Sequence, residues 1–548
     1  MLQARHRASA PTVTSRVPGA ARPTRAVARL TSRLVVRTLT VLLVALAAYV
    51  AMEVEVFEAT YPTEASRQLV TTFGEDPAVR MLAGVPAGTS IGALVVWDGG
   101  WMIQLVLGLW AVVTTARLLR GDEDAARAEV LLAGPVRAPR MLMVQLGVLA
   151  GATLLVGAVL AGTFVAAGTD LAGALAFGAL VTGFGLTHMG LTALVAQVLA
   201  TRGRVLAVGS IALGAAFLLR MVANSADERA WVSWLTPLGW NDQLRSFGDE
   251  RWAVLLLPLG VAAGLAAGAV VLRARRDTGA GLVHRTRRER STTVLLGGPT
   301  RFAVRTALPT SLGWAVGLAV VGVTVGGMLP SLEAYLEEDP GYAELLAMFG
   351  VDIAEISGGF LSMMGVIAGV ALCLRVAWRV GAARAEEDAG RLEQLLVRPL
   401  PRWRWLAGHV VVAAVDVVLL ALVTGAATWV GARVGGADVS GADAFAAMVN
   451  PLPVVAVFLG LAVALLGVVP RLVVGVTATV AMVLYVVELV GPPLDWPEAV
   501  LALSPFHHLA LVPVDPVATT AALVLVGVGV ALSAVGFVTF ARRDLVGS

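Results

Sequence analysis

The stretch GDEDAARAEVLLAGPVRAPR, residues 121–140, is charged and lies between two long apolar runs. A closely similar stretch, AEEDAGRLEQLLVRPLPRWR, stands 264 positions later at residues 385–404. Both copies contain the pattern E-D-A-x-R-x-E-x-L-L-x-x-P. Thirteen aligned positions with this agreement indicate that the chain consists of two similar halves.

Two weaker matches flank the charged segments in the same order. PTRAVAR (23–29) corresponds to PTRFAVR (299–305), and WLTPLGW (234–240) corresponds to ALSPFHH (502–508). The spacing between copies falls from 276 to 264 between the first match and the charged segment. We therefore expect the loop after the first apolar run to be longer than its counterpart, and both halves to have the same orientation.

The composition indicates a membrane protein. Hydrophobic residues make up 57% of the chain and charged residues 14%, with a mean hydropathy of +0.81. Apolar runs of about 20 residues, long enough to cross a hydrocarbon core of roughly 30 Å as helices, recur along the chain. The predicted fold is an all-α polytopic membrane protein, with twelve transmembrane helices arranged as two pseudo-symmetric six-helix halves. The predicted spans are 36–52, 101–119, 141–167, 171–199, 203–224, 252–273, 311–331, 358–381, 405–432, 444–468, 470–490 and 517–541.

The charges alternate in sign from loop to loop. The leader before the first span and the linker 273–293 are rich in arginine, whereas the loops 53–76 and 333–355 are rich in acids. The positive-inside rule then places both termini, the linker and both charged segments in the cytoplasm. A pI near 9.5 therefore reflects membrane topology and predicts no nucleic-acid partner. Cys373 is the single cysteine, which excludes a disulfide framework and a cysteine zinc site.

Each charged segment is predicted to be a short helix between the second and third spans of its half. Acids would lie at its start, where the helix dipole favours them, and a proline would end it. Pairs four residues apart, Glu123 with Arg127 and Glu387 with Arg391, would add a few tenths of a kcal/mol each. Two interpretations stay open: a helix resting on lipid headgroups, or a docking surface. Its presence at the same place in both halves favours docking.

The second copy, EEDAGRLEQLLVRPLPRWRWLAGH (386–409), resembles the signature region of ABC type-2 exporter permeases. The first, GDEDAARAEVLLAGPVRAPRMLMVQL (121–146), resembles the version in actinobacterial, tetronasin-type exporters of polyketide antibiotics. The resemblance implies that both segments are coupling helices that dock on an ATPase subunit. The first copy reads AEVLL where the second reads LEQLL, so equal docking is not implied. The residues in this role would be Glu123, Asp124, Arg127, Glu129, Leu131, Leu132, Pro135, Glu387, Asp388, Arg391, Glu393, Leu395, Leu396 and Pro399.

The same resemblance implies further elements. Residues 26–37 and 301–308 would be amphipathic connector helices along the inner membrane surface, and the loops 225–251 and 491–516 would hold short helices that dip back from outside. The aromatic residues of these loops, Trp231, Trp234, Trp240 and Trp496, fit an interfacial belt equally well. The expected organisation is a basic leader with a connector helix (1–35), a first six-span half (36–273), a linker with a second connector helix (274–310) and a second six-span half (311–548).

The chain contains no lysine, so all 41 basic residues are arginine. A G-x-x-x-x-G-K-[ST] phosphate loop and a lysine Schiff base are therefore excluded. Any ATP hydrolysis must come from another chain, and no cofactor is expected on this one. ATP and Mg²⁺ would be bound by an ATP-binding-cassette ATPase subunit, in two copies because there are two docking helices. We predict no enzyme activity for the chain alone.

Polar residues inside spans are candidates for a translocation path. Asp416 is nearest mid-span, and its counterpart in the first half is Ala152; it either lines the path or pairs with an arginine. His188 is either a hydrogen-bonded core residue or a substrate contact. Arg220 and Glu488 lie near span ends, where long side chains can reach water. Gln104 is a weaker candidate.

The expected function is the permease subunit of an exporter in the bacterial plasma membrane, moving amphipathic or hydrophobic compounds such as drugs or polyketide antibiotics. Alternatives are an ion-coupled secondary transporter and a lipid or glycan exporter of the same ABC class. A membrane-embedded lipid or glycan transferase would need converging acids or a metal site. His507 and His508 form a pair with no acid nearby in sequence, and we expect no metal there.

Overall fold

The structure, a computed structural model, describes residues 21–75, 77–277, 279, 281, 297–330, 356–388, 390–397, 400–492 and 496–544. The chain divides into two compact units, Met1–Arg287 (unit 1) and Arg288–Ser548 (unit 2). The first twenty residues of the leader, most of the linker, the acidic loop 333–355 and Pro399 lie outside the described residues.

The described residues of unit 1 form ten α-helices. A π-helical turn, Arg117–Gly121, and a last turn, Asp122–Asp124, extend the fourth of them, and 3-10 helices occur at Asp227–Leu235 and Trp252–Leu255. The α-helices are α1 (Ala21–Thr60), α2 (Glu64–Gly74), α3 (Pro77–Ala83), α4 (Ile91–Ala116), α5 (Arg127–Leu132), α6 (Ala138–Ala166), α7 (Leu171–Val198), α8 (Arg202–Asn224), α9 (Gly239–Leu244) and α10 (Leu256–Ala274).

Unit 2 is also helical, and the described residues of the chain contain no β-strand. A short 3-10 helix, Pro470–Leu472, precedes one of its spans. The α-helices are α11 (Pro299–Gly327), α12 (Ile356–Asp388), α13 (Arg391–Leu396), α14 (Arg402–Gly435), α15 (Gly441–Val449), α16 (Leu452–Val468), α17 (Val473–Val490), α18 (Glu498–Leu501) and α19 (Thr519–Arg542).

Twelve helices among the described residues are long and apolar enough to cross a membrane, six in each unit. Each overlaps one of the twelve predicted spans, which confirms a polytopic membrane protein. The spans of unit 1 are α1, α4, α6, α7, α8 and α10. Those of unit 2 are α11, α12, α14, the pair α15 and α16, α17, and α19.

The same spans pack together in the two units. The first span packs on the third, and the fourth packs on the second, third and sixth. In unit 2 glycines allow close approach between the first and third spans and between the fourth and sixth spans. A Cβ on Gly326 would overlap the carbonyl oxygen of Thr428, and one on Gly529 would overlap Ala456. Small residues at helix crossings are the usual solution in membranes, where lipid gives helices little hydrophobic reason to associate.

The predicted connector helices are not separate elements. Residues 26–37 form the N-terminal part of α1, which continues without a break to Thr60 because no proline or glycine interrupts it. Forty residues give about 60 Å of helix, twice the hydrocarbon thickness. The helix includes Glu53, which therefore does not lie in a loop. Residues 301–308 likewise lie in the N-terminal part of α11, which continues through Pro309 to Gly327.

The loops before the last span of each unit contain short helices, as expected. In unit 1 they are the 3-10 helix Asp227–Leu235 and α9, and in unit 2 the helix α18. Trp231 and Trp234 are exposed, but Trp240 is buried and its indole nitrogen donates to the carbonyl of Trp234 at 2.9 Å. Trp240 therefore holds the loop together and does not belong to an aromatic belt.

Candidate functional site

The repeated charged segment has the same backbone in both units. In each unit the second span ends at the acids, at Asp124 and at Asp388. One residue of the following turn is left-handed, with φ 56° at Ala126 and 66° at Gly390. A six-residue helix then follows, α5 or α13. The acids therefore end a long helix, and the prediction that they begin the short one is wrong.

In unit 1 the turn is anchored by Glu123, whose side chain is only 5% exposed. Arg276 donates to both of its carboxylate oxygens, at 2.6 and 2.9 Å. Arg120 donates to Oε2 at 2.8 Å, and Arg273 lies 3.5 Å from Oε1. Arg276 also donates to Gln197 of α7 at 2.9 Å. Planar two-point pairing of this kind fixes geometry as well as charge.

Unit 2 has an equivalent anchor. Arg543 donates to the two carboxylate oxygens of Glu387 at 2.8 and 2.5 Å, and the glutamate side chain is 6% exposed. The backbone carbonyl of Arg543 accepts a hydrogen bond from Arg402 at the start of α14. The guanidinium of Arg543 lies over the ring of Phe540. We call the Glu123–Arg276 and Glu387–Arg543 pairs the clamps.

Both clamp arginines follow the last span of their unit, and sequence reasoning missed them. Each stands in the same four letters, A-R-R-D, at residues 274–277 and 541–544. This fourth repeated stretch, 267 positions apart, was a signal in the sequence. The predicted pairs Glu123–Arg127 and Glu387–Arg391 do not form: Arg127 bonds to Asp122 at 2.7 Å, and both glutamates are turned to the clamps.

One side of each short helix is packed and the other is exposed. Ala128 and Leu392 are buried, and Leu131 and Leu132 pack around Val27 and Met141. The exposed residues include Asp124, Arg127, Glu129, Val130 and Pro135 in unit 1, and Asp388, Arg391, Glu393, Gln394 and Val397 in unit 2. Leu395 is half-buried, while the Leu396 side chain and Pro399 lie outside the described residues. Each unit thus presents an arginine and a glutamate on a firmly held turn.

Asp416 has an arginine partner. Its Oδ2 lies 2.5 Å from Nη2 of Arg375 on α12, and both side chains are less than a tenth exposed. Arg375 also donates to Ser311 on α11 at 3.0 Å. The pairing alternative for Asp416 is thus the arrangement in the structure.

The other path candidates of unit 1 are buried. A ring nitrogen of His188 lies 3.0 Å from the carbonyl of Phe184 one helical turn away. Gln104 is fully buried in α4. Arg220 does not extend to solvent, since it is only 1% exposed. It donates to both carboxylate oxygens of Asp242 at 2.8 Å. It also donates to the backbone carbonyls of Leu82 and Ala83. Arg220 therefore ties α8 to α3 and α9 of unit 1.

His507 has two acidic neighbours, contrary to expectation. Its Nδ1 lies 3.2 Å from Glu488 at the end of α17, and its Nε2 lies 3.1 Å from Glu498 at the start of α18. Burial lowers the pKa of His507, but hydrogen bonds and charge from Glu498 and Glu488 outweigh this and raise the pKa above its ordinary value of 6.5. Among the described residues no group of three or more His, Cys, Asp or Glu side chains is arranged to hold a metal ion.

Comparison with known proteins gives two findings. Residues 296–541 match the family model described as "Multidrug efflux system permease Rv1217c, C-terminal domain". Over 498 residues the chain is 29% identical to the multidrug efflux system permease protein Rv1217c of Mycobacterium tuberculosis, with 89% of each chain covered. The chain is therefore similar along nearly its whole length to a multidrug efflux permease, and its second half matches the family model of that permease's C-terminal domain.

Proposed function

We propose that this chain is the membrane subunit of an ATP-driven efflux system of the ABC type-2 class, and that it moves amphipathic or hydrophobic compounds out of the cell. The name of the similar mycobacterial permease supports drug efflux. The resemblance of residues 121–146 to tetronasin-type exporters favours compounds of the polyketide class. ATP and Mg²⁺ are bound by a separate ATPase subunit, and ATPase activity is expected only in the complex.

The observation that carries the proposal is the exposed Arg-x-Glu side of each short helix, Arg127 with Glu129 and Arg391 with Glu393. A docking element has to be reachable by its partner and firmly held by its own unit. Exposure supplies the first property, and the buried clamps supply the second. A helix lying passively on lipid headgroups has no need of a buried, two-point ion pair behind it.

Two docking helices favour two ATPase copies for each chain. The helices differ beyond their shared residues, with Val130 exposed on the first and Gln394 at the matching position of the second. The two copies are thus bound with unequal contacts, whether or not they are identical. The absence of lysine supports a separate energy source, because the phosphate-loop lysine is missing from the whole sequence.

The arginines at the start of α1 and after α10 and α19 favour a cytoplasmic location for both termini and the linker, since positive residues are enriched on that side. The twelve spans among the described residues agree with termini on one side. The membrane is the bacterial plasma membrane. The rival proposal, ion-coupled transport, needs an acid that can exchange a cation or proton. Of the two acids among the predicted path residues, Asp416 is held by Arg375 and Glu488 lies beside His507.

The test is isolation from native membranes in mild detergent. We would compare the intact chain, the double variant Glu129→Arg with Glu393→Arg, and a control, Glu228→Arg, whose exposed glutamate lies in the loop before α9. The expected result is an ATPase that purifies with the intact chain and the control, hydrolyses ATP faster when ethidium is added, and is lost from the double variant.

Two results would contradict the proposal. If the intact chain is isolated alone, and its transport of ethidium in vesicles depends on an ion gradient and not on ATP, secondary transport replaces efflux driven by ATP. If an ATPase is bound but lipid or glycan is moved and ethidium is not, the ABC class stands and the drug substrate is wrong.

A further inference from the structure

We infer that Arg276 and Arg543 are positioning residues that join the docking turn of each unit to its last span, so that a displacement of the short helix moves that span. The role of this link in transport rests on the proposed function, whereas the ion pair that forms the link lies within each unit. Its basis is a pairing that occurs twice, between residues 153 and 156 positions apart in sequence.

The clamps connect two elements that lie far apart in sequence. Glu123 and Glu387 lie at the C-terminal end of the second span, directly before the left-handed turn. Arg276 lies two residues after α10, and Arg543 directly follows α19. Each carboxylate receives two bonds from one guanidinium, so the pair resists rotation as well as separation.

The link continues from the last span into the core of its unit. In unit 2 the backbone of Gly529 in α19 lies so close to α16 that a Cβ would overlap Ala456. In unit 1 a Cβ on Gly190 of α7 would lie 3.2 Å from the carbonyl oxygen of Ala262 in α10. Closely packed helices transmit displacement because they cannot be compressed. A moving short helix would therefore shift the last and fourth spans together.

The two clamps differ in redundancy. Glu123 faces Arg120 and Arg273 as well as Arg276, whereas the carboxylate of Glu387 is bonded to Arg543. Loss of Arg276 leaves Glu123 with two cationic neighbours. Loss of Arg543 leaves a buried carboxylate without its guanidinium, which is the more costly situation. We therefore expect the link of unit 2 to be the more sensitive one.

The A-R-R-D repeat offers matched controls. Arg275 and Arg542 immediately precede the clamp arginines and are exposed. Arg543→Gln and Arg542→Gln remove the same charge one residue apart, and only the first breaks the clamp. Arg543→Lys keeps the charge without the planar fork and should give an intermediate result. The double exchange Glu387→Arg with Arg543→Glu should restore part of the link.

The first measurement uses the purified permease without any partner. Amide hydrogen exchange reports local opening, and we expect Arg543→Gln to increase exchange at α13 and at the C-terminal end of α19 together. Arg542→Gln should leave both unchanged, and Arg276→Gln should have a smaller effect at α5 and α10. If α13 and α19 keep the exchange of the intact chain in Arg543→Gln, or if only one of them changes, the inference is wrong.

The second measurement uses the complex with its ATPase in proteoliposomes and counts ethidium moved per ATP hydrolysed. The free energy of a hydrogen bond to a charged group corresponds to about a tenfold change in an equilibrium. We therefore expect Arg543→Gln to lower the amount of ethidium moved per ATP about tenfold. The ATPase should stay bound, because the exposed docking side chains are unchanged and the Glu123–Arg276 clamp still holds α5. A ratio equal to that of Arg542→Gln would overturn the inference. If the intact chain has no ATPase, the proposed function fails, and the exchange measurement still decides whether the clamp exists.

Discussion

Ala126 and Gly390 occupy the same position of the repeat and adopt the same left-handed backbone, with φ 56° and 66°. Glycine takes this conformation without cost, whereas the Cβ of alanine meets the neighbouring carbonyl oxygen there. Both units therefore form one turn from different residues, and unit 1 carries a strain that unit 2 lacks. The shared turn sets the direction of α5 and α13, and with it the orientation of the docking side chains.

We predict that Ala126→Gly stabilises the protein and that Gly390→Ala destabilises it, each by about 1 kcal/mol. Thermal unfolding in detergent measures both. Ala125→Gly is the control, because Ala125 is exposed and has φ −94°, where glycine brings no relief. An Ala126→Gly protein that unfolds at a lower temperature than the intact chain would show that the turn is not strained.

The twelve spans could be predicted because hydropathy is a local property: about twenty apolar residues form a spanning helix whatever they pack against. The ends of the charged segment could not. Acids are favoured at helix starts, so the pattern predicted a helix beginning at Asp122, yet the left-handed residue places the break after the acids. Ala126 gives no warning of such a turn, and Gly390 at the same position of the second copy was the available signal.

The partners of the buried glutamates were missed for a different reason. An arginine four residues away is the expected local partner of each glutamate. The sequence around Glu123 does not indicate that Arg276, 153 residues away, is its partner instead. The repeated A-R-R-D was the available signal, but it has meaning only once the ends of the last spans are known to lie beside the turns. The acids around His507 were hidden likewise, since Glu488 is brought near by the fold of the loop.

A third kind of contact, glycine at a helix crossing, leads to a test within one helix. Gly326 and Gly317 both lie in α11, but a Cβ on Gly326 would overlap the backbone of α14, and one on Gly317 would meet nothing within 4 Å. We predict that Gly326→Ala destabilises the protein by about 1–3 kcal/mol. Gly317→Ala should have no such effect, because it only replaces a helical glycine by a better helix former. Equal unfolding temperatures for the two variants would mean that α11 and α14 are less closely packed.

The pair of acids at His507 predicts a pH dependence. Because the folded pKa is raised, the pairing contributes its full stability below the ordinary pKa of 6.5 and loses it as the pH rises through the raised value. The loop segment around His507 in unit 2 should therefore be more stable at pH 6 than at pH 8. Hydrogen exchange of α18 across this range measures it. His507→Gln should flatten the dependence, and His508→Gln, which removes the bond to the carbonyl of Ala502 but leaves His507 between its two acids, should keep it.

The pairing of Asp416 with Arg375 separates a structural role from a role in the path. If the pair is structural, Asp416→Asn leaves the arginine buried without its counter-charge and lowers the free energy of unfolding by about 3–5 kcal/mol. Replacing both residues, Arg375→Met with Asp416→Leu, should recover most of that loss, because an apolar pair carries no buried charge. Unfolding measured for the two variants and the intact chain decides between the roles. An Asp416→Asn protein that unfolds like the intact chain but exports a different range of amphipathic compounds would place Asp416 on the translocation path instead.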